Sequence, residues 1–189
     1  MTLGYLVWWN LAGVVISQND LRRRLGAAGF PLPPSGADTL SRLIVQAVER
    51  IPGAVGVRRE GGVIFAPPAA HADLTCLRTV LVRLPTTEDT PAALHLAPVA
   101  DTREGRAEMA AAVTAGLMQD LAALDRELVY LQSRGKATRA STLDERQRRL
   151  QTLMARAAAH EALLTEGHQQ AVTAVVAALA RRLDEARAQ

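Results

Sequence analysis

The residues able to do covalent or metal chemistry in this chain are four histidines (His71, His95, His160 and His168), one cysteine (Cys76) and a scatter of carboxylates. Their spacing argues against such chemistry. His160 and His168 stand just over two helical turns apart, whereas a helical metal clasp sets its ligands at i and i+4. Glu161 and Glu166 lie beside them, so a metal shared between two copies would draw on all four. A plain helix surface explains the same residues without one. His71 and Asp73 precede Cys76, but a cysteine is most often a small buried residue, and no oxyanion-binding feature accompanies it. Gly61-Gly62 lies between two strand-like runs with no Lys-Ser/Thr behind it, unlike a P-loop or a dinucleotide fingerprint. Asp120, Asp125 and Glu127 share one helix surface with no carboxylate partner on another element. We therefore expect no catalytic residue, no metal and no cofactor.

Phosphate recognition is better served. Of the 22 basic residues, all but Lys136 are arginine, and the planar guanidinium matches a phosphate with two parallel N–H donors. GC-rich coding gives the same bias, along with many Ala and Leu, so the composition alone proves little. The sequence pI is about 9.7 yet the formal net charge is only +3. Nucleic-acid binding then has to rest on local clustering, and three clusters stand out. Arg22-Arg23-Arg24 falls on the first expected helix. Arg58-Arg59 precedes the Gly61-Gly62 turn. Arg134, Lys136, Arg139, Arg146, Arg148 and Arg149 surround a helix connection, six cations against Asp144 and Glu145.

The elements that carry these clusters can be read from punctuation. All nine prolines lie between Pro31 and Pro98, and five of the six aromatics fall in the first 65 residues. After Asp101 the chain turns to Ala, Leu, Arg, Glu and Gln, the strong helix formers. This composition seam predicts an α+β domain over residues 1–100 and an all-α region over 101–189. Gly4 to Leu11 reads as a buried strand, apolar on both faces. Trp8 and Trp9 are expected in the core, pointing to opposite faces. Ser17 caps a helix with Asp20 at its third position, and Gly26 and Gly29 end it. A second helix follows, capped by Ser35 or Asp38, with Leu40, Leu43, Ile44, Ala47, Val48 and Ile51 on one stripe. Val55–Glu60 and Val63–Ala66, around Gly61-Gly62, form a hairpin. A helix is expected from Asp73 to Leu84, and a short strand from Ala93 to Leu96.

Two helices followed by a hairpin resemble a winged helix-turn-helix in outline, over about residues 14 to 68. In that arrangement the helix from Asp38 to Ile51 would read the groove through Ser41, Arg42, Gln46, Glu49 and Arg50, and the hairpin would lie on the phosphates. The connector between the helices is longer than the usual turn, and a strand precedes the first of them.

In the second half Val113, Leu117, Leu121, Leu124, Leu128 and Leu131 advance by 4, 4, 3, 4 and 3 residues, an a/d seam. It predicts a helix from Arg103 to Ser133, broken at Gly135. Ser141 or Thr142 then starts one long helix reaching about residue 187, with Leu150, Leu153, Ala157, Leu164, Val172, Val175, Leu179 and Leu183 on its seam. Such a helical hairpin, or coiled coil, leaves apolar surface uncovered. A dimer forming a four-helix bundle through these leucines and valines is the expectation.

No apolar stretch approaches the roughly 20 residues that span a bilayer. The apolar start carries no Lys or Arg before it, so a cytoplasmic protein is expected rather than a secreted one. The leading functional expectation is a non-enzymatic DNA-binding protein, dominated by phosphate contacts and weakly sequence-specific, acting as a dimer. Its rival is a structural or adaptor protein whose helical hairpin binds other proteins.

Overall fold

The central strand is the residue run with two apolar faces. β1 (Thr2–Asn10) lies between two neighbours in an antiparallel sheet of order β2-β3-β1-β4, paired with β4 along its length and with β3 over Tyr5–Val7. This computed structural model describes residues 2–32, 39–57, 62–87, 89, 91–133 and 140–188. Two units divide them, Met1–Gly105 and Arg106–Gln189.

In the first unit β2 (Val55–Gly56) and β3 (Ile64–Ala66) form the hairpin, and β3 pairs with β1 from Tyr5↔Ala66 to Val7↔Ile64. β4 (Ala93–Ala100) pairs with β1 along its length, from Asn10↔Ala93 to Thr2↔Ala100. The strand runs past the expected Leu96 because β4 is an edge. Pro98 lacks an N–H, and an edge strand can spare one. Gly4 sits at the register shift of this pair, where a Cβ would strike the carbonyl oxygen of Ala66.

Between β1 and the hairpin the chain makes α1 (Gln18–Ala27) and α2 (Leu40–Val48). Ser17 caps α1: its Oγ accepts from the Asp20 N–H at 3.1 Å and its hydroxyl donates to Asp20 Oδ2 at 2.8 Å. The cap of α2 is Thr39, extended at φ −71° and ψ 156°, with its Oγ1 accepting from the Arg42 N–H at 3.2 Å. The expected caps Ser35 and Asp38 lie outside the described residues. α3 (His71–Val82) starts ahead of Asp73 because a 3-10 turn at Pro68–Ala70 leads into it, proline's fixed φ suiting a helical start. Leu21 and Leu25 of α1, Leu43 and Ile44 of α2, and Leu74, Leu77 and Leu81 of α3 bury against Val7, Ile64 and Ala66 of the sheet. Trp9 is half-buried beside this core and donates its indole N–H to Ser41 Oγ at 2.9 Å. Trp8, expected inside, faces the other way. It is 39% exposed and stacks on His95 across the β1–β4 ladder, ring centroids 5.2 Å apart.

α4 (Arg103–Ser133) leads from the first unit into the second. Thr102 caps it, accepting from the Gly105 N–H at 3.0 Å. The long second helix expected from the seam is corrected to two, α5 (Ala140–Ala159) and α6 (Glu166–Ala188). The segment between them closes on itself. The His160 carbonyl accepts from the Leu163 and Leu164 N–H groups, and Gln169 Nε2 donates to the carbonyls of Glu161 and Leu164. Thr165 restarts the helix, its carbonyl accepting from the Gln169 N–H. His160 and Leu164 are both buried in this turn, so leaving the helix places an imidazole and a leucine out of water.

α6 therefore folds back. Arg187 meets Asp144 at 3.0 Å, Arg182 meets Asp125 at 2.7 Å, and Arg156 meets Asp120 at 3.4 Å. These pairs fix an up-down-up order for the second unit. Leu121, Leu124 and Leu128 of α4, Leu143, Leu150 and Leu153 of α5, and Val172, Leu179 and Leu183 of α6 form one core. Each fully buried leucine contributes about 1.5–3 kcal/mol of transfer free energy.

Candidate nucleic-acid interface

A phosphate contact needs a guanidinium that is held in place yet keeps donors for the ligand. On α1, successive residues point about 100° apart, so the three arginines do not form one patch: Arg22 turns away from the exposed side that Arg23 and Arg24 share. Arg22 is half-buried. Arg23 is exposed, and its Nη2 bonds Asp20 Oδ1 at 2.8 Å, one turn back. Arg24 is also exposed; its Nη1 donates to the carbonyl oxygen of Arg83, 3.1 Å away and 59 residues on. The hydroxyl of Ser17, then the nearby Arg23, hold the Asp20 carboxyl below its ordinary range.

On α2, the exposed residues are Ser41 and Arg42, followed by Glu49 and Arg50 just past its end. Ser41 is already engaged by Trp9. Gly62, at the base of the hairpin turn, has φ +62° and lies under the Trp9 ring. Trp9 thus touches both the start of α2 and the hairpin from its place on β1. Arg58 and Arg59 lie outside the described residues.

The third cluster divides. Arg134, Lys136 and Arg139 also lie outside the described residues. Arg146 and Arg149 reach across to α4, where both pair with Glu127, at 2.8 and 2.6 Å. Arg146 binds Glu145 as well. These two side chains serve as ties between α4 and α5, and their charge is matched locally. Arg148 is exposed, with its Nε lying 3.4 Å from the Asp144 carbonyl oxygen.

The residues expected at a dimer interface are placed within one chain. Leu117, Leu121, Leu124, Leu128, Leu150, Leu153, Leu164, Val172, Leu179 and Leu183 are buried, and Leu131 and Val175 are half-buried. The α5–α6 turn, which the heptad pattern did not reveal, is what covers the α6 seam. Among the described residues no group of His, Cys, Asp and Glu is arranged to hold a metal ion. Cys76 is exposed on α3, its Sγ 3.5 Å from the carbonyl oxygen of Ala28. No helix of the described residues is long and apolar enough to cross a membrane.

The molecule is thus a mixed α and β protein, mostly helical, with a small antiparallel sheet in one unit and a long helical region in the other. The chain belongs to a family of unknown function (DUF6744), whose model matches residues 34–189. No curated protein and no solved structure matches it. The matched stretch starts between α1 and α2 and takes in α2, the hairpin, α3, β4 and the whole helical region.

Proposed function

We propose that the chain is a nucleic-acid-binding protein whose first unit works as a winged-helix-like module. The observation that carries this reading is topological. β1, α1, α2, β2 and β3 follow one another, and the three strands lie in the order β2-β3-β1. A winged helix inserts its two-helix reader between the first strand and the hairpin in the same order, with the hairpin returning beside that strand. α2 is then the reading helix and the β2–β3 turn the wing. Arg42 and Arg50 on the α2 side are suited to phosphates. With so few polar side chains on α2, binding is dominated by backbone contacts and weakly sequence-specific.

The test is fluorescence anisotropy of labelled duplex and single-stranded DNA against the full chain, at about 50 and 200 mM salt, where a phosphate-dominated complex loses affinity steeply. The expected result is duplex binding that weakens sharply at the higher salt. No binding to either DNA at the lower salt overturns the proposal. The second reading, a structural or adaptor protein, is favoured by Val129 and Tyr130, exposed side by side near the end of α4. It then becomes the one to pursue.

A further inference from the structure

Three hollows lie side by side on the first unit, and they share walls. Arg23 and Arg24 border the first, together with Ser17, Asp20 and Pro85. Arg24 turns into the second, between α1 and α3, where Ala27, Thr79, Val80 and Arg83 complete the lining. Thr79 and Arg83 continue into the third, on the outer face of α3, with Thr75, Arg78 and Val82. The result is one groove bearing four guanidinium groups. Asp20 is the one carboxylate among these lining residues, and it is already engaged by Ser17 and Arg23.

The geometry points to this α1–α3 groove as a phosphate track, holding successive phosphates of a nucleic-acid backbone at a surface separate from the α2 face. Arg24 is positioned by its bond to the Arg83 carbonyl oxygen, which uses one of its five N–H donors. Arg78 and Arg83 are exposed, and among the described residues neither pairs with a carboxylate. Arg78 stands on α3 and Arg83 just past its end, and both border the third hollow. The hydroxyls of Thr75 and Thr79 donate to the carbonyls of His71 and Thr75, so guanidinium groups are the donors left to a ligand. A surface built this way reads charge and spacing, not bases.

The inference rests on the nucleic-acid reading above, and the experiment separates the two. Duplex affinity is measured over a salt series for the full chain, for Arg78→Gln/Arg83→Gln, for Arg78→Lys/Arg83→Lys, and for Arg42→Gln/Arg50→Gln. Neutralising two phosphate contacts lowers the slope of log affinity against log salt by about 1.8, and the lysine pair, which keeps both charges, restores most of it. A glutamine pair at Arg78 and Arg83 with the wild-type slope, while wild type binds DNA, overturns the groove and leaves the α2 face standing. Poly-glutamate that competes as well as DNA of equal charge overturns the phosphate assignment. Wild type that binds neither duplex nor single-stranded DNA at the lower salt overturns both proposals.

Discussion

Ser17 shows how much one side chain can settle. Its oxygen takes an N–H that the first turn of α1 would otherwise leave unpaired, and its proton goes to Asp20. Ser17→Ala removes both bonds. The cap alone is worth about 1 kcal/mol, so a drop in melting temperature is expected. The Asp20 carboxyl, held low first by Ser17 and then by Arg23, should return toward its ordinary range, as a carboxyl-resolved NMR titration would show. Because the folded value lies below the unfolded one, Asp20 supports the fold above that unfolded value and loses its contribution as pH falls through the folded one. A titration of Asp20 in the variant indistinguishable from wild type would refute this account. The capping pattern was legible in the sequence because both partners lie within four residues. Arg78 and Arg83 were not: each is an isolated arginine, and it takes the packing of α3 against α1 to set Arg83 beside Arg24.

Between elements, the informative residue is Asp120. Burial between α4 and α5 raises its carboxyl above the ordinary range, against the pull of Arg156 and then Arg149. A raised folded value means that the folded state binds the proton more tightly than the unfolded chain does. The contribution of Asp120 to stability is therefore full below the unfolded value and declines as pH rises through the folded one. Asp120→Asn lacks that decline. Denaturant melts of both proteins should show the variant gaining on wild type as pH rises from about 3 to about 6, and a constant or shrinking difference would count against it. The a/d leucines announced α4 because a sustained seam is a long-range pattern. The α5–α6 turn escaped because His160, Glu161, Ala162, Leu163 and Leu164 are all compatible with a helix, and no Gly or Pro stands among them. Thr165 followed by Glu166 was the available sign, a cap and a first-turn acid. What decides the break is tertiary: α6 can bury Val172, Leu179 and Leu183 only by turning back.

For the whole molecule, that turn changes what a second copy could gain. Most of the leucines and valines that suggested a four-helix dimer, from Leu117 through Leu164 to Leu183, are already buried at 0–7% exposure, and only Leu131 and Val175 of that set keep partial exposure, so the seam offers little further apolar area. Sedimentation velocity at micromolar concentration should give the mass of one 20.2 kDa chain; a concentration-independent dimer would require a surface other than this seam. The composition seam near residue 100 located the change from turn-rich to helix-rich chain because proline and glycine are confined by backbone geometry wherever they occur. Within the helical unit, the number of helices has a mechanical meaning. A two-helix hairpin has both ends at one pole, and tension on them would peel the helices apart one contact at a time. With α6 returned alongside α4, the two ends of the unit stand at opposite poles. A pull between them shears α4, α5 and α6 along their lengths, and every leucine layer and cross-helix ion pair resists it together.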